Sequence, residues 1–518
     1  MAGSLLFLIR RIAKTMRAEA KIFNYGDDFT IPVDRSGLVI YFSVNNIPFF
    51  FNGHTGFFSD TLPGYAEEAF QILARPVAEQ DGLFKSLKKK YGPACENLLQ
   101  EIQRFQDGTH PDLTAESRQD SFLQSMRPHT FNVYLSQSCN MSCRYCFNQG
   151  GTFGNNPSLM SVQTAEETLA FFTNIVRSGE HEKISVNLFG GEPLLAPKAV
   201  YTLARGLQDL NHQQNDTKIN LILSTNGTIY NKKIFDIFAE RPDRCTVVCS
   251  LDAFREVHDR NRPFKNTKKG SSYDAVLKNL KRMMREKIPY SVTCIVPYPY
   301  DFIPAAERLH SLGLEWVEIK QLNHHIYGRG ELPEVFDREF DLWRDRYIAY
   351  SDYYIEYLGK ENPVKHVDRY VIFREYANKL GGRSQLKSTL GCGVGDTKTG
   401  ISSQGKIFPC EAFLGQESFE LGSVKDGFDR DACAGFEEWL LSNGQYRIDH
   451  KRCRNCFAKL VCGGGCYAES LDKSGKLEPG DEPFCRYARE TVKINLYYIS
   501  QMKKRRPEIF SKITGVKC

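Results

Sequence analysis

Three cysteines lie close together in this 518-residue sequence, in the stretch Cys139-Asn-Met-Ser-Cys143-Arg-Tyr-Cys146. It follows Phe131-Asn-Val-Tyr-Leu-Ser136, whose β-branched, apolar and aromatic residues predict a strand. Three thiolates in one loop can bind three corners of a single iron–sulfur cube. Such a cube normally takes four cysteines, so one iron stays open to another ligand. A zinc knuckle is the alternative, although zinc also needs a fourth ligand nearby.

The triplet resembles the signature of the radical S-adenosylmethionine (SAM) enzymes, in which the open iron chelates the amino and carboxylate groups of SAM. Tyr145 stands where that family carries an aromatic residue. Phe189-Gly-Gly-Glu-Pro193 resembles the family's second motif. The resemblance therefore implies that Gly190, Gly191 and Glu192 hold the amino group of SAM.

Strands and helices alternate between about residues 130 and 345, which predicts a parallel sheet. The predicted strands are residues 132–136, 184–189, 219–224, 245–251, 290–296 and 316–322. The resemblance implies that they form the family's α/β core, a partial (β/α)6 TIM-like barrel. Active sites of such barrels lie at the C-terminal ends of the strands. The cysteine triplet and the glycine-rich motif follow the first two of these strands.

Thr225-Asn226-Gly227 follows the third predicted strand, and Ser250-Leu-Asp252 closes the fourth. The stretch around Ser250 and the downstream arginines resembles peptide-modifying members of the family, in which the serine and one arginine bind SAM. An arginine suits a carboxylate because its planar fork donates two hydrogen bonds. We favour Arg262 over Arg260 for this role, and a surface loop arginine is the alternative. Because Asn226 follows a strand at the edge of the barrel where the active site is expected, we predict that it contributes to cofactor binding.

A second cysteine pattern occupies residues 391 to 487 and resembles the SPASM extension found behind radical SAM cores. A structural zinc ribbon is the alternative for its paired cysteines. The resemblance implies an outer auxiliary [4Fe–4S] cluster on Cys453, Cys456, Cys462 and Cys485. It implies an inner auxiliary cluster on Cys392, Cys410 and Cys466.

Three [4Fe–4S] clusters with four ligands each need two more ligands than these ten cysteines supply. One vacancy belongs to SAM and the other to the inner auxiliary cluster. Asp396, Cys433 or a substrate thiolate are candidates for the second vacancy, or the iron stays open.

Glu411 directly follows Cys410. In sulfatase-maturing and some thioether-forming relatives, an acidic residue at this place is proposed to take the proton of the substrate. The resemblance therefore implies that Glu411 is catalytic. A carboxylate that is only hydrogen-bonded to the cluster loop is the alternative.

Five regions follow from these patterns. Residues 1–128 form an N-terminal α+β module, in which strands near 29–33, 38–42 and 48–51 precede helices near 65–74, 83–91 and 94–105. Peptide-modifying relatives often hold a winged-helix-like module here, so we expect a peptide-recognition element. The radical SAM core takes 129–345, a helical bridge 346–390, the SPASM domain 391–490, and a C-terminal helix or tail 491–518.

Composition limits the partners and the compartment. The net charge of +6 is spread along the chain, so we expect no nucleic-acid partner. Leu5-Leu-Phe-Leu-Ile9 is too short to span a bilayer and lacks a cleavage site, so we expect no membrane segment or signal peptide. Cysteines in metal-ligand spacing indicate a reducing compartment, the cytoplasm.

Together these features predict a radical SAM/SPASM enzyme that crosslinks a precursor peptide through a thioether or carbon–carbon bond. A reductase with flavodoxin or ferredoxin would supply its electrons. An anaerobic sulfatase-maturating enzyme, which makes formylglycine, and an iron–sulfur electron-transfer or scaffold protein are the alternatives.

Overall fold

The computed structural model of the chain describes most of the central region and selected parts of both ends. The described residues are 24–25, 28–31, 39–45, 47–52, 58–59, 68, 72, 77–92, 128–146, 148–152, 156–213, 217–297, 301–314, 316–321, 333–358, 365–366, 394–395, 397–444, 452–453, 456–474, 480 and 482–514. The predicted helix at 94–105 lies outside them.

A five-stranded antiparallel sheet forms the N-terminal part of the protein, and each strand pairs with the next. Its strands are β1 (Asn24–Tyr25), β2 (Asp28–Ile31), β3 (Val39–Val44), β4 (Ile47–Asn52) and β5 (Phe58–Ser59), followed by helix α1 (Val77–Tyr91). Asn45 has a φ of 49° in the turn between β3 and β4, the left-handed conformation that tight hairpin turns need. Strands followed by a helix agree with the predicted α+β module.

Six parallel strands form the centre of the second sheet, which confirms the predicted core. They are β6 (Thr130–Ser136), β7 (Lys183–Gly190), β8 (Lys218–Thr225), β9 (Cys245–Ser250), β10 (Tyr290–Val296) and β11 (Trp316–Gln321). Each pairs with the next in chain order.

Six helices connect these strands: α2 (Val162–Ser178), α3 (Pro197–His212), α4 (Lys232–Ala239), α5 (Arg255–Asn261), α6 (Ser272–Arg285) and α7 (Phe302–Ser311). The α/β order with a parallel sheet is the partial-barrel fold that the sequence indicated.

Side chains alternate along the core strands between a buried apolar face and a half-buried face that is often polar. On β7, for example, Val186 and Leu188 are fully buried while Asn187 between them is half-buried. The buried faces of the strands join helix residues in one apolar cluster. The half-buried faces are therefore free to line the interior of the partial barrel, where a substrate would enter.

The sheet extends beyond the six predicted strands at both edges. Helix α8 (Pro333–Tyr357) precedes β12 (Lys365–His366), which pairs in parallel with β11. At the other edge β13 (Lys398–Ile401) pairs in parallel with β6, and β14 (Lys406–Phe408), β15 (Gly422–Ser423) and β16 (Gly427–Phe428) continue the sheet antiparallel. The first strand of the cysteine-rich region is thus part of the barrel sheet.

The described residues of the C-terminal part form five helices: α9 (Arg430–Gly444), α10 (Lys459–Cys462), α11 (Tyr467–Ser474), α12 (Glu482–Arg505) and α13 (Pro507–Thr514). Helix α8 crosses position 345 and α12 crosses position 490, two of the predicted domain boundaries. Across the described parts of the chain, no helix is both long and apolar enough to cross a membrane.

The N-terminal sheet packs against the C-terminal half of the chain. Phe49 of β4 is fully buried, stacks on Phe42 with ring centroids 5.2 Å apart, and meets the ring edge of Tyr497 on α12 at 6.4 Å. Phe51 meets Phe457, the residue after Cys456, at 6.3 Å. The N-terminal sheet therefore contacts the cysteine-rich region directly.

We expect Phe49→Ala to lower the free energy of unfolding by about 3–5 kcal/mol, because it leaves a cavity between β3 and α12. Urea denaturation measures the change. The exposed Leu342 on α8 supplies a control, since Leu342→Ala should change stability by less than about 0.5 kcal/mol. Equal effects of the two substitutions would contradict the packing of Phe49 against Phe42 and Tyr497.

Candidate functional site

The cysteine loop after β6 is held in place by main-chain hydrogen bonds to residues 261–265. Ser142 N–H donates to the Pro263 carbonyl at 2.8 Å, and Arg144 N–H donates to the Asn261 carbonyl at 2.9 Å. In the opposite direction, Lys265 N–H donates to the Asn140 carbonyl at 3.0 Å. Met141 forms a β-bridge with residue 264 across the same seam. The loop is thus one side of a short ladder, and residues 261–265 are the other.

The three thiols of the loop are half-buried, and two of them receive N–H hydrogen bonds. Met141 N–H and the Asn226 side-chain amide donate to Cys139 Sγ at 3.4 and 3.6 Å, and Gly150 N–H donates to Cys146 Sγ at 3.1 Å. Burial raises the pKa of Cys139 to about 12 and that of Cys143 to about 11. Iron binding must therefore displace protons, and the N–H donors favour the thiolate form.

Glycines let the loop and the second motif approach each other closely. A Cβ on Gly191 would lie 2.3 Å from the carbonyl oxygens of Gly150 and Ser138, and one on Gly190 would lie 2.4 Å from the Ser136 carbonyl oxygen. Gly190 also has a φ of 151°. These distances are far below van der Waals contact, so only glycine fits at the two positions.

Glu192 is fully buried, and its carboxylate accepts hydrogen bonds from the protein itself. The donors are Leu194 N–H at 3.0 Å, Asn226 N–H at 2.8 Å and the Thr225 hydroxyl at 2.8 and 2.9 Å. Burial raises the pKa of Glu192 to about 7. The carboxylate therefore ties the second motif to the end of β8, whereas binding of SAM by Gly190, Gly191 and Glu192 stays a prediction.

Asn226 connects the end of β8 with the cysteine loop. Its side-chain amide donates to Asn140 Oδ1 at 2.7 Å as well as to Cys139 Sγ, and Asn140 Nδ2 donates to the Thr228 hydroxyl at 2.9 Å. A residue predicted to bind the cofactor thus lies beside one of the three thiols.

Arg262 is buried beside the cysteine loop, whereas Arg260 is exposed. The guanidinium of Arg262 lies over the Tyr145 ring at 5.0 Å, and its Nε donates to Asp252 Oδ2 at 3.2 Å. It also lies close enough to hydrogen-bond Cys143. The preference for Arg262 over Arg260 therefore agrees with the geometry, and Ser250 is half-buried at the end of β9 nearby.

The structure brings together the four cysteines predicted for the outer auxiliary cluster. Cys485 at the start of α12 interacts electrostatically with the other three, which are Cys453, Cys456 and Cys462. Arg489, one helical turn after Cys485, is buried and hydrogen-bonds Cys456. Sequence reasoning missed Arg489, and its i, i+4 spacing from Cys485 was the available signal.

The inner set is described only in part, since Cys392 and the alternative ligand Asp396 lie outside the described residues. Helix α11, which directly follows Cys466, contacts the turn that begins at Glu411, after Cys410. Cys433 is buried in the apolar cluster and faces the carbonyl of Leu421 at 3.8 Å. Cys410 and Cys466 therefore lie on neighbouring segments.

Glu411 lies at the end of a row of polar side chains on the inner face of the barrel sheet. Asn132 Nδ2 on β6 donates to Glu411 Oε2 at 3.0 Å. Asn187 Nδ2 on β7 donates to Asn132 Oδ1 at 3.0 Å, and the Ser224 hydroxyl on β8 donates to Asn187 Oδ1 at 2.9 Å. We call Asn132, Asn187 and Ser224 the polar ladder. Every bond in it points the same way, towards the Glu411 carboxylate.

Gly400 explains why Glu411 can reach the polar ladder. It lies opposite Asn132 in the parallel pairing of β13 with β6. A Cβ on Gly400 would come within 2.9 to 3.0 Å of backbone atoms of Cys410 and Glu411. The absent side chain lets this segment pack over β13, next to Asn132.

Sequence reasoning missed the polar ladder, although period-2 alternation placed its polar residues between buried apolar ones on three strands. Tyr134 is a further missed residue, because its buried side chain interacts electrostatically with Glu411, Cys410 and Cys146. It therefore lies between the two cysteine systems.

In the described parts of the chain, no three His, Cys, Asp or Glu side chains lie close enough to share one metal ion. In an iron–sulfur cube each thiolate binds a different iron. Half-buried thiols that receive N–H hydrogen bonds fit such a cube, and the Arg262 guanidinium beside them fits the carboxylate of SAM. The residues present thus match the donors that the cluster and SAM require.

Comparison with known proteins agrees with this arrangement. Residues 133–309 match the family model described as the radical SAM superfamily. The chain is 24% identical to the serine-type anaerobic sulfatase-maturating enzyme of Klebsiella aerogenes over 346 residues, which cover 66% of this chain and 80% of that enzyme. It is 22% identical to an uncharacterized protein of Archaeoglobus fulgidus over 414 residues, which cover 76% and 86% of the two chains.

Solved structures share the fold. The chain superimposes on histidine-tagged anSMEcpe with bound AdoMet at a TM-score of 0.59 and 18% identity, covering 75% of this chain and 98% of the other. Native anSMEcpe with bound AdoMet and the Cp18Cys peptide gives a TM-score of 0.56 at 18% identity, covering 75% and 100%.

We expect Gly191→Ala to displace the cysteine loop, because the new methyl group overlaps backbone carbonyls that cannot rotate away. Overpacking of this kind costs about 1–3 kcal/mol, so thermal unfolding of the iron-free protein should shift down and iron uptake at the loop should fall. Gly435 on α9 has nothing within 4 Å of the position that a Cβ would take, so Gly435→Ala is the control. A normal iron content and melting temperature in Gly191→Ala would contradict the expected overlap.

Proposed function

We propose that this chain, an enzyme of the radical SAM superfamily, oxidises a precursor peptide and installs a thioether or carbon–carbon crosslink. The observation that carries the proposal is the position of Glu411. The pairing of β13 with β6 brings this carboxylate to the interior of the barrel, hydrogen-bonded to Asn132. Electrostatic contact of Tyr134 with both Glu411 and Cys146 supports a common site for the two cysteine regions.

The proposal assigns a cofactor set to the two cysteine regions. Cys139, Cys143 and Cys146 would hold a [4Fe–4S] cluster, and the C-terminal cysteines would hold two more. Bound there, the first cluster and SAM would supply the radical that takes a hydrogen atom from a substrate carbon, and the auxiliary clusters would supply an acceptor for the electron that leaves.

The residues of the chain have separate tasks in this proposal. Arg262 binds the SAM carboxylate, and the glycines of the second motif let the backbone approach the amino group. After hydrogen abstraction the peptide still has to lose a proton as the new bond forms, and Glu411 takes that proton. The polar ladder keeps the Glu411 carboxylate turned towards the barrel interior, because Asn132 donates to one of its oxygens.

Partners follow from the same proposal. A precursor peptide is the substrate, and a reductase with flavodoxin or ferredoxin supplies electrons in a reducing cytoplasm. The anSMEcpe structure with the Cp18Cys peptide supports a peptide as the substrate class. That structure matches 75% of this chain although all of its own chain is covered, so segments of this chain lie outside the match. The proposal assigns peptide recognition to the N-terminal sheet.

Anaerobic sulfatase maturation is the second candidate. It is favoured by the 24% identity to the Klebsiella aerogenes enzyme. The two candidates predict different products from the same abstraction step. A crosslink keeps the substrate sulfur or joins two carbons, whereas formylglycine carries an aldehyde.

We expect anaerobically reconstituted protein to contain about 12 irons per chain and the Cys139, Cys143 and Cys146 triple-alanine variant about eight. The triple variant should form no 5′-deoxyadenosine from SAM and dithionite. As a control, Cys245→Ala with Cys294→Ala changes two buried thiols on β9 and β10 and should retain all the iron. A wild-type content near four irons would mean that the C-terminal cysteines hold no auxiliary clusters. Deoxyadenosine from the triple variant would remove the first cluster.

We expect Glu411→Gln to form 5′-deoxyadenosine at the normal rate while modified peptide falls by roughly 10²-fold or more, the effect of losing a general base. Mass spectrometry of the peptide, with and without an aldehyde-reactive hydrazine, measures the yield and separates a crosslink from formylglycine. Glu417→Gln, in the next short turn, is the control. A normal yield from Glu411→Gln would exclude Glu411 as the base, and a hydrazine-reactive product would favour sulfatase maturation.

A further inference from the structure

Asp252 connects three parts of the protein at the end of β9, and the sequence motif that contains it assigned it no role. It is only 1% exposed. Its Oδ1 accepts from Ile295 N–H on β10 at 3.0 Å. Its Oδ2 accepts from the Tyr145 hydroxyl of the cysteine loop at 2.8 Å and from Arg262 Nε at 3.2 Å. One carboxylate thus joins a strand, the cysteine loop and the segment paired with that loop.

His258 fixes the backbone on both sides of this junction. Its Nδ1 accepts from Asp252 N–H at 3.1 Å, and its carbonyl accepts from the backbone N–H of Arg262. The imidazole is fully buried, and burial lowers the pKa of His258 to about 4. A neutral ring that accepts through Nδ1 leaves the full negative charge of Asp252 to face Arg262 and Tyr145.

A buried ion pair is weak evidence for a purely stabilising role. Removing two charges from water costs free energy, and apolar residues of similar size are often at least as stabilising. The Asp252–Arg262 pair lies directly against the cysteine loop, where the guanidinium also covers the Tyr145 ring and reaches Cys143. Its position therefore points to a task at that loop.

The geometry of the pair defines that task. A guanidinium has five N–H donors in a planar fork. Asp252 takes the Nε donor, and the Tyr145 ring below fixes the plane of the fork. The Nη donors then keep one orientation beside Cys143, and a second carboxylate can bind them without further ordering of the side chain.

We propose that Asp252 is a positioning residue for SAM, which holds the Arg262 fork so that its Nη groups face the SAM carboxylate. The inference rests on the proposed assignment of SAM to this loop and adds a residue that acts through Arg262 and Tyr145. Asp252 itself does not touch the cofactor. Its loss weakens SAM binding by freeing the guanidinium to adopt other orientations.

Equilibrium dialysis of SAM against the full-length, anaerobically reconstituted protein tests the proposal. Asp252→Asn keeps the shape of the side chain and removes its charge. Loss of a charge-assisted hydrogen bond should weaken SAM binding by about tenfold or more. Asp259→Asn is the matched control. Asp259 is an acidic residue of α5, and its carboxylate accepts hydrogen bonds from Tyr273 N–H and the Ser272 hydroxyl, not from Arg262 or Tyr145. It should leave SAM affinity unchanged.

A double-variant cycle distinguishes positioning from a general structural effect. If Asp252 acts through Arg262, adding Asp252→Asn to Arg262→Gln should weaken SAM binding no further than Arg262→Gln alone. Independent, additive losses would overturn the proposal. So would unchanged SAM affinity in a folded, iron-loaded Asp252→Asn protein.

Tyr145→Phe keeps the test decisive if Asp252→Asn does not fold. It removes one hydrogen bond to the Asp252 carboxylate and keeps every charge, so SAM binding should weaken by about threefold or more. Non-additivity with Arg262→Gln is again expected, and wild-type affinity in Tyr145→Phe would overturn the proposal. No peptide enters these measurements. Failure of the peptide-modification proposal would therefore appear only in the product assay, with SAM binding intact.

Discussion

The main-chain pairing between the cysteine loop and residues 261–265 is the constraint on which the candidate site depends. Three backbone hydrogen bonds hold one side of the loop. On its other side the glycines of the second motif touch backbone atoms at distances that exclude any Cβ. The thiols are therefore ordered by backbone contacts on two sides, and the loop does not rely on iron alone for its conformation.

The pairing of the cysteine loop with residues 261–265 also determines which side chains surround the thiols. Because residues 261–265 pair with the loop, Arg262 is brought beside Cys143 and over Tyr145. Asp252 then fixes the guanidinium from the end of β9. Buried polar groups cost free energy unless they are paired. Here the buried Asp252 carboxylate is paired with the buried Arg262 guanidinium.

A second pairing, of β13 with β6, joins the cysteine-rich region to the barrel. This pairing also determines where the Glu411 carboxylate lies. Gly400 faces Asn132 in the register, and its missing side chain admits the backbone of Cys410 and Glu411. The polar ladder then carries one direction of hydrogen bonding across three strands to the Glu411 carboxylate. Networks of this kind are rigid when every member is satisfied.

Hydrophobic periodicity and motif order are local properties of the chain, so the six core strands and the order of the motifs could be predicted from the sequence. The grouping of the cysteines into an outer and an inner set came from the family resemblance, and the structure brings together the four cysteines of the outer set. The sequence also favoured Arg262 over Arg260. It did not reveal the contacts of Asp252 and Arg489, the polar ladder or the pairing of β13 with β6. These depend on contacts between residues that are far apart in the chain, from 10 positions for Arg262 with Asp252 to 279 for Asn132 with Glu411. Only tertiary structure decides such contacts, because the packing of strands and loops, and no local pattern, brings their side chains within hydrogen-bond distance.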